Sequence, residues 1–425
     1  MRHRNPLQEA VQRLMSTEYD AAVVGAGPGG SQTARLLADR GHRVLVLEEH
    51  KYVGLPVHCS GFVTPRTLVE AGVADGMVVN EVKGAIVHAP GGKSLDLGGD
   101  KVRALVLDRE ALDLTIAGRA VDSGAEFQLG TKMHDLHLTD GGATLRTVNA
   151  GRWQDFRARL VIGADGVRSK VAEQIDRTQS QMIWCAGAEL RLPHHPPDMV
   201  RIYVGNDLAP GWFAWTIPLE AGRVRLGIGS VMGDSSVKPR RLLDRLVQTH
   251  PGHFRNMEIE SFGGGFIPIY APSRTYGDRV LLVGDAALQT KPTTGGGIYT
   301  SLVAARHAAE VADGALRAGE LGEEHLSAYH DAWRREIGTE LDRGLDVREA
   351  FIRMGDWQLD RLVELLGQPI LRPIISRYGD IDFPSRMFGR LLNLVPLLRV
   401  LLGLPDVLPN RWVKLARRHG LMPSA

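Results

Sequence analysis

The chain has 425 residues, of which 44% are hydrophobic and 24% charged, and its formal net charge is +2. That length predicts two or three structural units, and the composition is ordinary for a soluble globular protein. The near-neutral balance gives no reason to expect nucleic acid as a partner. Two cysteines, Cys59 and Cys185, make no disulfide framework and fit a reducing cytoplasm.

At the N-terminus Arg2 and Arg4 precede no continuous apolar core, so no signal peptide is expected. Met15 sits just ahead of the first strand, and residues 1–14 read as a dispensable extension. Tyr19–Gly30 reads YDAAVVGAGPGG, then comes a helix-like SQTARLLADRG and a strand HRVLVLEE. This is strand, G-x-G-x-x-G turn, helix, strand, acid. Gly25 permits the tight turn, Gly27 lets backbone approach a pyrophosphate, and Gly30 lets helix and strand pack closely. Glu48 ends the second strand, where a carboxylate can take both ribose hydroxyls. An acid there argues against a 2′-phosphate, so the expected dinucleotide is FAD or NAD(H).

Further along, VGLPVHCSG (Val53–Gly61) follows Glu48 closely, and LDREALD carries Arg109 at a helix start. Leu160–Lys170 reads LVIGADGVRSK, a strand ending in Gly163-Ala164-Asp165-Gly166 with Ser169 after it. Alternating stretches such as EVKGAIVHAP, MIWCAGAELRL and RVRLGIGSV predict strands of an antiparallel sheet. Residues 280–298 read VLLVGDAALQTKPTTGGGI: a buried strand, a carboxylate at its end, and a glycine-rich helix start. Such a corner suits a polyol and an electron-rich ring, because bare N–H groups at a helix N-terminus favour negative charge. No second G-x-G-x-x-G occurs, so a visiting pyridine nucleotide would bind transiently. No metal-ligand constellation or nucleophile triad is seen.

The ordered triple of fingerprint, A-D-G-x-x-S and G-D-A resembles the flavin hydroxylase/geranylgeranyl reductase superfamily from about Tyr19 to about Glu320. The Gly-x-Pro-Val-x-Cys run ending at Cys59 is similar to that of the geranylgeranyl reductases, archaeal ether-lipid reductases among them. FAWTIP (Phe213–Pro218) resembles that family's Tyr-x-Trp-x-Phe-Pro channel element, with Phe213 and Ile217 departing from it. Ser60-Gly61-Phe62 departs from the family's Gly-Glu-Gly or Ala-Glu-Gly. The resemblance implies FAD as cofactor. Gly25, Gly27, Gly29 and Gly30 would hold the pyrophosphate and Glu48 the ribose. Cys59, Ser60 and Phe62 would lie beside the isoalloxazine. Arg109 would supply charge to the diphosphate region and Met133 backbone near the adenine. Asp165 would belong to the same site, Asp285 would meet the ribityl–pyrophosphate link, and Gly297 and Ile298 the pyrimidine edge. Phe213 and Trp215 are the expected substrate residues. Cys59, next to His58, is the candidate for positioning or protonating an alkene, whereas Cys185 is expected in the core.

The implied fold is α/β (α+β): a Rossmann-like FAD-binding domain, an inserted antiparallel-sheet substrate domain and a C-terminal helical region. The expected limits are 15–75, 101–179 and 264–320 for the first, 76–100 and 180–263 for the second, and 321–425 for the third. The implied activity is saturation of isoprenoid double bonds on a lipid, quinone or pigment precursor by hydride transfer from reduced flavin, with ferredoxin or NAD(P)H as electron donor. A monooxygenase, halogenase or quinone-linked dehydrogenase of the superfamily, or a non-catalytic prenyl-lipid carrier, are the alternatives. FGRLLNLVPLLRVLLGLPDVL near the C-terminus is apolar but broken by Arg390, Pro396 and Arg399, so it reads as an interfacial element or a buried helix pair and not as a span. Its basic surroundings would let a cytoplasmic protein sit peripherally on the inner face of the membrane.

Overall fold

The computed structural model describes residues 18–175, 178, 180–233, 238–369, 371, 375 and 379–384. Residues 1–17 and 385–425, and with them the expected N-terminal extension and the apolar, basic tail, lie outside the described residues.

The first half of the molecule is built on the strand Glu18–Val24. Ala21, Ala22 and Val23 are buried on both of its faces, the pattern of a central parallel strand. The sheet runs Tyr276–Gly277, Val280–Leu282, Arg152–Gly163, Glu18–Val24, Val44–Leu47, Glu126–Gln128. Its pairings are parallel except for the Tyr276–Gly277 edge. A hairpin, Thr131–Thr139 with Gly142–Asn149, extends Arg152–Gly163 antiparallel. The helices Pro28–Ala38 and Ile298–Ala318 cover one face. The second of these buries Ala304, Ala305, Ala308, Ala309, Ala312 and Ala315. Such small side chains let helices approach sheet and neighbour closely while keeping high helix propensity. Trp333, Ile337 and Leu341 join the same core, so packing of the nucleotide half continues beyond the expected limit at residue 320.

The second half is a seven-stranded sheet in the order Glu258–Pro268, Met182–Arg191, Arg223–Val231, Ala214–Pro218, Met199–Tyr203, Gly84–His88, Ser94–Asp96. It departs from the antiparallel expectation at one pair: Met199–Tyr203 runs parallel to Gly84–His88. These two strands are joined through the nucleotide half and not by a hairpin, so no turn fixes their direction. The sheet also takes in the whole of Glu258–Pro268, which crosses the expected boundary at 263/264.

Between the halves lies a small sheet, Phe62–Val63, Ala104–Leu107 and Val78–Val82. Val78–Val82 was expected in the substrate sheet; alternation predicts a strand but not its partner. Along Ala104–Leu107 the period of two splits the side chains. Leu105 and Leu107 pack with Leu112, Ile116 and Leu302, whereas Ala104 and Val106 pack with Val200, Ile217 and Leu219. Among the described residues beyond 321 the chain is helical over Glu323–Trp333, Thr339–Ile352 and Asp356–Leu366, with a π-turn at Arg334–Gly338. Among the described residues no helix is long and apolar enough to cross a membrane.

Candidate active site

The glycine turn is fixed by backbone crowding. Gly25 has φ +100°, and a Cβ there would stand 2.3 Å from the Ala164 carbonyl oxygen; one on Gly30 would stand 2.0 Å from that of Gly25. Gly29 faces Val283 and Ser301. Gly27 is different, because a Cβ there would meet nothing within 4 Å. It precedes helix Pro28–Ala38 in extended backbone with no side-chain cap, so the first N–H groups of the helix face open space. Glu48 sits beside this turn. Its Oε2 accepts from Ala26 N at 2.8 Å, and its Oε1 accepts from His50 N at 2.9 Å and contacts His50 Nδ1 at 2.6 Å. A carboxylate offers about four acceptor positions, which leaves capacity for a ribose hydroxyl.

Asp165 is turned to its own loop: Ser169 Oγ, Lys170 N and Val171 N all donate to it, at 2.6, 2.7 and 3.2 Å. Burial nevertheless pushes its carboxyl above the ordinary range. What this loop lends the turn is the Ala164 carbonyl beside Gly25. Met133 pairs its backbone with Thr147, and its side chain is buried beside Leu45, Leu47 and Tyr19. The strand carrying it begins at Thr131, whose N–H donates to the Glu48 carbonyl.

Arg109 opens helix Arg109–Asp122, which Asp108 caps by accepting from Ala111 N. Its side chain is largely withdrawn from solvent: its Nη2 contacts both Asp113 oxygens at 3.0 Å, and its Nε has no partner among the described residues. Burial works against its charge, but Cys59 and Asp113 beside it outweigh that and hold the guanidinium above its ordinary range. Asp113 itself is pushed up by burial, against the pull of Arg109, with Glu48 adding to the rise. Cys59 is solvent-exposed, and its Sγ accepts from Gly61 N at 3.4 Å. The Ser60 carbonyl accepts from Arg225 Nη1 at 2.9 Å, as does that of Leu107 at 3.1 Å, which clamps the cysteine loop to the seven-stranded sheet. Phe62 packs toward that sheet with Trp215 and Ile217.

The third wall is the Gly284–Ala287 turn and the start of Ile298–Ala318. Burial pushes the Asp285 carboxyl up, opposed by a 3.2 Å bond from Thr290 and by the Arg109 charge. A Cβ on Gly297 would stand 3.0 Å from Asp285 Oδ1, a tight approach that would make the carboxylate shift. Ile298 packs inward with Leu112 and Leu302. Two supports here carry no sequence motif. Gln289 accepts from Gly284 N and donates to Tyr329 Oη, while Lys291 Nζ contacts Asp382 Oδ1 at 2.6 Å, both side chains buried. Asp382 also binds Thr64 and Arg66. Asp113 was readable, standing four residues after Arg109; Arg225, Lys291 and Asp382 were not, since their partners lie on distant segments.

Over these walls stands one face of the seven-stranded sheet. Trp215, Gly227, Gly187 and Gly263 are successive cross-strand partners and share that face. The Trp215 indole covers Gly227 and the Trp212 indole covers Gly229, where a Cβ would stand 2.2 and 2.5 Å from ring carbons. Over Gly263 nothing lies within 4 Å, and Gly187 meets only the Leu226 carbonyl. Over Gly187 and Gly263 the face carries no described side chain, which leaves a short trough with Trp215 and Phe213 at one side, their rings 5.7 Å apart, and the Glu189–Arg225 ion pair next along the strands. Gly265 approaches His58 of the cysteine loop. Cys185, expected in the core, is half-buried on this face, and burial raises its thiol to about 12.

The orphaned Arg109 Nε, the open approach to Gly27 and two uncapped helix starts are the features an FAD molecule would fill. The chain matches the FAD binding domain family over residues 18–342. It is 36% identical over 357 residues to the digeranylgeranylglycerophospholipid reductase of Methanothrix thermoacetophila, covering 81% of this chain and 90% of that one. It is 34% identical over 388 residues to digeranylgeranylglycerophospholipid reductase 2 of Methanopyrus kandleri, covering 88% and 96%. Among solved structures, a geranylgeranyl bacteriochlorophyll reductase-like protein of Thermoplasma acidophilum superposes with a TM-score of 0.81 at 25% identity, covering 92% of this chain and 99% of that one. The chain is an FAD-dependent oxidoreductase, and it belongs to the geranylgeranyl reductase family of FAD-binding flavoproteins.

Proposed function

We propose that this oxidoreductase saturates carbon–carbon double bonds of a geranylgeranyl-type chain carried by a lipid or quinone. The observation that carries the reading is the side-chain-free trough over Gly187 and Gly263, facing the cysteine loop and walled by aromatic rings. A flexible apolar chain needs open space beside apolar rings, and each CH₂ withdrawn from water is worth roughly 0.8 kcal/mol. When bound, reduced FAD supplies a hydride equivalent. In this reading the residues 25–30 cradle its pyrophosphate, Glu48 its ribose, and Asp285 with Gly297 and Ile298 its far end. In this reading Cys59, next to the His58 that approaches Gly265, donates the proton that completes saturation, while Arg109 offsets the charge left on sulfur. Arg225 holds that loop in place through the Ser60 carbonyl. The trough and the Trp215 wall keep water from the reacting carbons.

The two electrons come from a separate donor, ferredoxin or NAD(P)H. A peripheral membrane position would give access to the lipid. The domain limits proposed with this function are moved so that Glu258–Pro268 belongs to the substrate sheet and the helices through Leu341 to the flavin half. The test is anaerobic incubation of dithionite-reduced holoprotein with a geranylgeranyl lipid, read by mass spectrometry. The expected product gains two hydrogens per double bond. An unchanged lipid, or turnover only when oxygen and an aromatic substrate are supplied, overturns the reading.

A further inference from the structure

The opposite face of the seven-stranded sheet carries polar side chains that the flavin site does not use. Ile202 is the cross-strand partner of Trp215 and shares the trough face, so Arg201 and Tyr203 point the other way, with Thr216 opposite Arg201 and His88 opposite Tyr203. Onto this side fold the loop bearing His195 and the end of helix Pro239–Thr249 with His250 and His253. The His88 ring stacks on Tyr203 at 4.9 Å and lies 4.6 Å from that of His253, which lies 5.5 Å from that of His250. His195 contacts Thr216 Oγ1 and the Pro196 carbonyl, both at 2.8 Å, and Tyr203 Oη contacts His253 Nδ1 at 3.2 Å.

Two nitrogens inside this cluster, Nε of Arg201 and Nε2 of His88, are buried without a hydrogen-bond partner. The charges that bear on His88 are those of His253, Arg201 and His250, and those on His253 are of Arg201 and His250; no carboxylate is among them. The Arg201 guanidinium thus stands beside His88, His195 and His253, bonded to Tyr203 but with no ion-pair partner among the described residues. Guanidinium has no acceptor, and a protonated imidazole donates from both nitrogens. No described group of His, Cys, Asp or Glu is arranged to hold a metal ion. The complement that remains is a compact anion with several acceptor oxygens.

We propose that Arg201, His88, His250 and His253 form an anion site for a phosphate group, presented as free phosphate or as a lipid headgroup. The site is separated by the sheet from the trough, and so is distinct from the place of reduction. Burial, with the neighbouring cationic groups adding to it, pushes His88 and His253 down to about 4, and burial also lowers His250. His195 is pushed down to about 4 as well, mainly by burial. His88 and His253, so lowered, favour the neutral form while the site is empty, and a dianion among them draws protons in as it binds.

The test is calorimetric titration of FAD-loaded full-length protein with inorganic phosphate, the flavin keeping the pyrophosphate cradle filled. Expected is one saturable site whose heat changes with the ionisation enthalpy of the buffer, in the sense of proton uptake. Arg201→Gln and the half-exposed His253→Gln should each weaken it at least tenfold with flavin content unchanged. In a parallel arm, Arg201-dependent binding to phosphatidic acid vesicles but not phosphatidylcholine vesicles, competed by phosphate, identifies a headgroup. Phosphate binding without vesicle binding identifies the free anion. No saturable binding of either probe, or binding that both substitutions leave intact, overturns the proposal.

Discussion

Glycine does two different jobs in the two halves of this molecule. In the nucleotide half, Gly25 and Gly30 are required because backbone crosses backbone at distances no Cβ tolerates. In the seven-stranded sheet, Gly227 and Gly229 make room for two indoles, while no side chain among the described residues fills the space over Gly187 and Gly263. The first constraint is local and conformational; the second is set by register across three strands. A substitution in the first half should therefore cost cofactor, and one in the second half should cost substrate.

The largest effect tests the point where the halves meet. Cys59→Ala should lower turnover on an isoprenoid lipid by about 10²–10⁴-fold, the range for a lost general acid, with flavin absorbance retained. Full turnover in that variant would leave the trough without its proton donor. Next is Asp382→Ala, which strands Lys291 in a buried position. Breaking such a pair costs about 3–5 kcal/mol, and the loss should appear as a lower melting temperature together with flavin release. Gly25→Ala forces a left-handed alanine against the Ala164 carbonyl. Strain of about 1–3 kcal/mol predicts flavin retention down by roughly tenfold or more on dialysis. Gly187→Val places a side chain in the trough. It should cut kcat/KM for the lipid about tenfold while flavin content and reduction by dithionite stay unchanged. If it released flavin instead, the division between the halves would fail.

The smallest effect is a pH slope. His195 is held near 4 when folded against an ordinary 6.5, so it stays neutral while the unfolded chain takes up a proton. The stability it allows is fully present above pH 6.5 and is lost as pH falls toward 4, by at most about 1.4 kcal/mol per pH unit for each such histidine. Chemical unfolding at pH 7 and pH 5 would read this slope, and His195→Gln should lessen it while His88 and His253 keep their share.

Legibility followed the same division. The turn at 25–30, Glu48 and the Asp285 corner were visible because residue types and spacing within short runs carry their chemistry, although the Ala164 carbonyl that crowds Gly25 lies far along the chain. Asp165 was visible as a motif, yet its carboxylate serves its own loop and only the neighbouring Ala164 carbonyl reaches the glycine turn. Strands of the second sheet were visible as alternation, but alternation says nothing about partners. Val78–Val82 accordingly fell into the wrong sheet, and the parallel pairing of Gly84–His88 went unseen. Arg225, Lys291 and Asp382 were invisible for the same reason: each acts on a residue far away in the chain. The glycines of RVRLGIG gave a signal that could have been followed, since alternate glycines on a strand mark close approach by something on that face.

The contact of Asp382 with Thr64 and Lys291 joins positions 318 and 91 residues apart. A chain leaving the ribosome can set the Ala164 carbonyl against Gly25 once Arg152–Gly163 has emerged, but it cannot close the flavin's far wall until nearly the whole polypeptide is out. Loop-closure entropy is met last, at the place where the cofactor is most needed. Supply of flavin during synthesis therefore governs yield: with the cofactor scarce, the half-built pocket waits with its apolar walls exposed, and losses would appear as aggregated full-length chain and not as soluble apoprotein.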